Sequence, residues 1–162
     1  MTITYRTKDL FTAVNGDDDA LIVHITNNAG QWGAGFVIPL AQRYPRTKQI
    51  YDSHDSSLEL GRVCFIEAEE DSSLFVANMC AQDNVNTTDG RRVNYGALVT
   101  CMQKVKTYCE NYNITEIHAP LFGSGLAGGD WDIIEELMEY IWDDLDVTIY
   151  QLPGQELRPS NA

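Results

Sequence analysis

ALIVHITNNAGQWGAGFVIPLAQRY, residues 20–44, is the stretch on which the fold turns. Ala20 to Ile25 is apolar and rich in β-branched side chains, the composition of a buried strand. Thr26-Asn27-Asn28-Ala29-Gly30 breaks that run with residues suited to a loop, Gly33-Ala34-Gly35 follows, and Phe36 to Tyr44 has the spacing of a helix packed on a sheet. A strand that ends in a glycine-rich turn and feeds a helix suits an anion. Small residues let the backbone approach, and unpaired N–H groups point outward at the helix start. A tight turn without any ligand carries the same signature.

A second stretch answers the first. PLFGSGLAGGDW, residues 120–131, lies between a short apolar segment and an acidic amphipathic helix, and forms another strand–glycine loop–helix unit. Two such loops at the carboxyl ends of neighbouring parallel strands line one crevice, the usual ligand site of an open α/β sheet.

Outward from these stretches, Ile3 to Thr7 alternates as a first strand, ended by Lys8-Asp9-Leu10-Phe11, and Asn15 to Asp19 is a solvated turn. Tyr44-Pro45 closes the first helix. Residues 46–57 stay open between loop and a short helix over 47–53. Gly61 to Ala68 and Leu74 to Met79, joined by Asp71-Ser72-Ser73, read as a hairpin. Ala81 to Val93 reads as a long surface loop of the kind that often serves as a lid. Asn94 is the expected N-cap of a helix over 95–112, whose inward face carries Leu98, Met102, Val105 and Cys109. Thr115 to Ala119 is a short strand. Asp130 is expected to cap a helix over 131–143 with Ile134, Leu137, Met138 and Ile141 inward. Asp146 to Leu152 is the last strand, and the polar residues from Pro153 read as a frayed tail. Alternating strands and helices predict a three-layer α/β/α domain on a mixed, largely parallel sheet. A single domain over 1–153 with a polar tail over 154–162 is expected.

The 162 residues suffice for one core without staples. A formal charge of −13 excludes a non-specific nucleic-acid binder and leaves backbone N–H groups as the main means of holding a phosphorylated ligand. Cys64, Cys80, Cys101 and Cys109 show no metal-site spacing, so buried thiols and no metal are expected. A polar start and the lack of any apolar run near membrane length predict no leader and no membrane contact. The expectation is a cytoplasmic monomer without cofactor.

Five marks in order resemble a macro domain, the ADP-ribose-binding module, over residues 3–152. They are Lys8-Asp9-Leu10-Phe11, Ile22 to Asn28 with Gly33-Ala34-Gly35, Val76-Ala77-Asn78-Met79, Val93 to Leu98, and Pro120 to Trp131. The sequence is most similar to the branch of ADP-ribose 1''-phosphate phosphatases and terminal ADP-ribose glycohydrolases, many from bacteria, phages and yeast. The resemblance implies that Asp9 accepts from the adenine amine beside Leu10, since an ionised carboxylate only accepts, and that Leu152 borders the base. It implies that Gly33-Ala34-Gly35 and residues Leu121, Phe122, Gly123, Ser124, Gly125, Leu126 and Ala127 cradle the diphosphate and distal ribose. Asn27 would orient the ribose at the reacting carbon, with His24 or Asp130 assisting proton transfer; His24 also fits a core histidine, and Asp130 a helix cap. The chain lacks the lysine that the glycohydrolase type carries on the strand at 74–79, and has Ala127 in place of its aspartate.

The implied activity is metal-independent hydrolysis of ADP-ribose 1''-phosphate, or a related 1''-linked derivative, to ADP-ribose. A reader that binds free or protein-linked ADP-ribose without turnover is the alternative, and a binder of other ADP-like ligands is a third reading.

Overall fold

The computed structural model describes residues 2–53, 58–84 and 90–162. Strands β1 (Thr2–Thr7), β2 (Ala20–Asn27), β3 (Val63–Glu67), β4 (Phe75–Gln82), β5 (Glu116–Pro120) and β6 (Asp146–Gln151) form one sheet in the order β1-β6-β5-β2-β4-β3. Every pairing is parallel except the antiparallel β3–β4 hairpin. Helices α1 (Val37–Arg43) and α2 (Arg46–Ser53) lie on one face; α3 (Tyr95–Tyr112) and α4 (Trp131–Ile141) lie on the other. This is the expected three-layer α/β/α arrangement.

β2 shows why its sequence is apolar on both sides. Leu21 and Val23 join the core formed with α3 and α4, whereas Ala20 and Ile22 join Leu40, Tyr44 and Tyr51 of the opposite layer. A strand covered by helices on both faces has no polar alternation to show. Residues 46–53 form α2, and 54–57 lie outside the described residues. Asn94 caps α3 through Ala97 N at 2.9 Å, and Asn113 ends it in the left-handed region. Among the described residues no helix is long and apolar enough to cross a membrane.

Two segments differ from their sequence reading. β4 runs to Gln82, three residues past Met79, and Ala81 and Val93 are fully buried. Gln82 pairs with Val93, and Asn94 N donates to Ala81 O at 2.7 Å, so both ends of the supposed surface loop are built into the sheet. Its middle, 85–89, lies outside the described residues.

The expected frayed tail is tied down. The buried Gln151 carboxamide accepts from Leu157 N and Arg158 N at 2.7 and 3.0 Å and donates to Arg158 O at 2.8 Å. The Arg158 guanidinium reaches Asp132 and Glu135 of α4. Asn161 accepts from Tyr5 N and donates to Tyr5 O, covering the open edge of β1. Polar composition suggested solvent, but here the polar groups satisfy an exposed sheet edge.

Candidate functional site

The site lies at the carboxyl ends of the parallel strands. Residues after β1, β2, β5 and β6 converge there around two cavities of about 630 and 700 Å³. The turn 33–36 stands between them, with Gly33 and Ala34 lining one and Gly35 and Phe36 the other.

The smaller cavity, called here the base-side cavity, is mainly apolar. Leu10, Phe11, Phe36, Pro39, Leu121 and Leu152 supply its walls, and Asp9 stands at its edge. Asp9 caps the short 3-10 turn Leu10–Thr12 by accepting from Phe11 N at 2.9 Å through Oδ1. Its Oδ2 accepts from no group among the described residues.

The larger, distal cavity is polar. Asn27, Gln31, Gln82 and Asn84 line it with Lys48, Asp52 and Arg92. Lys48 and Asp52, one turn apart on α2, pair at 2.5 Å. Asn27 sits where the β2–β4 register shifts, a bulge that turns the strand end toward the cavity. Its Oδ1 accepts from Ala29 N and Gln31 N, both at 3.0 Å, and its Nδ2 donates to Gln31 O at 2.6 Å. Tyr51 Oη donates to Asn27 O at 2.6 Å from beneath. Asn27 therefore shapes the loop after β2, with one Nδ2 hydrogen left over.

The two glycine loops leave room where a ligand would need it. A Cβ placed on Gly33 or Gly125 meets nothing within 4 Å. Among the described residues the amides of Gly33, Ala34, Gly35, Ser124 and Gly125 donate to no protein acceptor, which leaves them available to an anion. No group of three His, Cys, Asp or Glu side chains among the described residues is placed to hold a metal.

No family model matches the chain. The chain is 26% identical over 161 residues to the ADP-ribose 1''-phosphate phosphatase of Saccharomyces cerevisiae, covering 82% of this chain and 89% of that protein. A solved structure from Bacteroides thetaiotaomicron, described as a protein of unknown function, is 30% identical with a TM-score of 0.83, over 94% of this chain and 99% of that one. The macrodomain protein from Streptomyces coelicolor is 28% identical with a TM-score of 0.75, over 93% and 99%. The chain belongs to the macro domain family.

Within this macro domain the residues picked out from sequence separate into groups. Asp9, Leu10, Gly35, Leu121, Ser124, Gly125 and Leu152 line the base-side cavity, and Asn27, Gly33 and Ala34 line the distal one. Phe122, Gly123 and Ala127 line neither. Phe122 packs on Trp131 and Trp142 in the core, and Gly123 lies against Ile134. The Ala127 carbonyl accepts from Arg92 N and Val93 N. Leu126 lies in the short 3-10 turn Gly125–Ala127.

Two expected proton-transfer groups stand elsewhere. His24 is 2% exposed and lines neither cavity. Its Nε2 is 2.5 Å from Asn78 Oδ1, so Nε2 is the protonated nitrogen, and burial pushes the imidazole down to about 4. Its ring packs edge-on to Trp32 and against Phe36, under the turn that separates the cavities. Asp130 caps α4 by accepting from Asp132 N at 2.9 Å and also lines neither cavity.

Sequence reading missed Trp32, Lys48, Asp52, Gln82, Asn84 and Arg92. Lys48 and Asp52 carried a signal, an i,i+4 charge pair in a segment left open as loop or helix. Trp32 lies directly before Gly33 in the loop after β2, whereas Gln82, Asn84 and Arg92 reach the site through the β2–β4 pairing and the Gln82–Val93 bridge.

Proposed function

We propose that this macro domain binds ADP-ribose and hydrolyses a 1''-linked derivative of it, with phosphate as the first choice of leaving group. The carrying observation is the pair of cavities that meet across the turn 33–36. One has an apolar wall and a free carboxylate oxygen for an adenine, the other polar groups for a ribose, and the amides between them suit a diphosphate. The activity of the yeast relative, an ADP-ribose 1''-phosphate phosphatase, supports the same reading. Lys48 and Arg92 in the distal cavity favour an anionic substituent there.

In this reading water attacks phosphorus, the bond between phosphorus and the 1'' oxygen is broken, a proton from the water passes to that oxygen, and ADP-ribose and inorganic phosphate leave. Asn27 orients the distal ribose with its remaining Nδ2 hydrogen. Proton transfer falls to Asp52, the carboxylate that lines the cavity, since His24 and Asp130 stand outside it.

A reader without turnover is the second reading, favoured by Ala127 at the glycohydrolase aspartate position and by the pairing of Asp52 with Lys48. Calorimetry with ADP-ribose tests binding, and phosphate release from ADP-ribose 1''-phosphate tests turnover. Binding with no release at high protein concentration leaves the reader; no binding removes both.

A further inference from the structure

We propose that residues 153–162 form a fixed strap that completes the base-side cavity and holds an adenine there through Gln155 and Leu157. This rests on the ADP-ribose reading above and adds a wall to its base-binding end.

The strap leaves β6 at Leu152, turns at Gly154 with a φ of +86°, and brings Gln155 N to Leu152 O at 2.9 Å. Gln155 and Leu157 then line the cavity that Asp9, Leu10 and Phe36 also line. Leu152 is 50% exposed and Leu157 47% exposed, so two apolar side chains are held over an open cavity. An aromatic base lying between them and Phe36 would remove that apolar surface from water.

Three anchors hold the strap, two of them outside the cavity. Gln151 clips the backbone at 157–158 from below. Arg158 is fixed by Glu135, which also accepts from the Tyr5 hydroxyl, and by Asp132. Asn161 and Ser160 bind the backbone of β1. None of these groups except Gln151 lines the cavity, so the wall is in place before a ligand arrives.

The Gln155 carboxamide has no partner among the described residues. A carboxamide offers one donor and one acceptor side by side, the pattern that matches the amine and adjacent ring nitrogen of adenine. The amine has two hydrogens, enough for Asp9 and Gln155 together.

The test is calorimetry of wild type, Gln155→Ala and Leu157→Ala with ADP-ribose and with AMP, which both carry the base. Leu157→Ala is expected to weaken both ligands about tenfold, and Gln155→Ala about five- to tenfold. Neither removes an anchor, so both variants should melt with the wild type. Arg158→Ala releases the strap. It should weaken both ligands at least as much, and raise hydrogen exchange at 154–160 while leaving β2 and β5 unchanged. Wild-type affinity in both Gln155→Ala and Leu157→Ala overturns the strap proposal alone. A wild type that binds neither ligand overturns the proposed function and this proposal with it.

Discussion

Asp9 does two separable things, and Asp9→Asn separates them. Oδ1 caps the turn Leu10–Thr12, whereas Oδ2 is the oxygen left for a ligand. Alanine removes both roles. The lost cap costs about 1 kcal/mol, which lowers the melting temperature by about 2–4 °C in a chain of this size. Asparagine keeps an oxygen for Phe11 N and presents an NH2 group to the base. Facing an exocyclic amine, that group sets donor against donor. A hydrogen bond to a charged acceptor contributes about 1.5–3 kcal/mol, so the affinity for ADP-ribose should fall roughly tenfold to hundredfold. Calorimetry and a thermal melt read the two effects apart. Asp9→Asn is expected to melt like the wild type and bind weakly. If it binds like the wild type, and Asp9→Ala loses affinity only in step with its stability, Asp9 is a cap and the base lies elsewhere.

Gly33→Val puts a side chain into the distal cavity at a position where a Cβ meets nothing within 4 Å. It should melt with the wild type and lose ADP-ribose affinity by about tenfold or more, and unchanged affinity would place the ligand away from this turn. The pKa of His24 is lowered from 6.5 to about 4, so the unfolded state binds its proton first. This contribution, of order 3 kcal/mol, is complete above pH 6.5 and is lost as the pH falls toward 4; melts of wild type and His24→Gln across that window should show a shallower acid decline in the variant. Asn27→Ala removes the bonds that shape the loop after β2, and should destabilise by about 1–3 kcal/mol. It should also cut phosphate release on the order of 10²-fold, more than it cuts affinity, and weakened binding with kcat unchanged would deny Asn27 a part in the transition state.

Most of the fold was legible because its signals are local. The apolar run of β2, the cap at Asn94, the cap at Asp130 and the hairpin of β3 and β4 are each written within a few residues. The errors fell where a distant partner decides the outcome. Ala81 and Val93 sit among polar residues, yet a bridge between Gln82 and Val93 draws them into the core. The last residues are polar, but the edge of β1 offers unpaired backbone groups that only the folded sheet places beside Ser160 and Asn161.

The candidate site was legible to the same rule. Glycine loops declare themselves, because a backbone that must come close to something has few residue types to use. Side-chain roles do not, because a polar residue at a strand end can face the cavity or serve the scaffold under it. His24 and Asn27 show both outcomes on one strand, three positions apart. Alternation sends His24 into the layer with Trp32 and Phe36, where its uncharged ring supports the turn between the cavities. The bulge after Thr26 frees Asn27 from that alternation and turns it toward the distal cavity, where Tyr51 braces it. The turn 33–36 is thus held from beneath by aromatic contacts, and the loop that leads into it is shaped by the Asn27 carboxamide, so its open amides are positioned before any ligand binds. In the proposed ADP-ribose reading, that preorganisation is what would let an acidic protein receive a diphosphate: the positive ends of fixed backbone dipoles need no reorganisation, and they act locally where the net charge of −13 is screened by solvent.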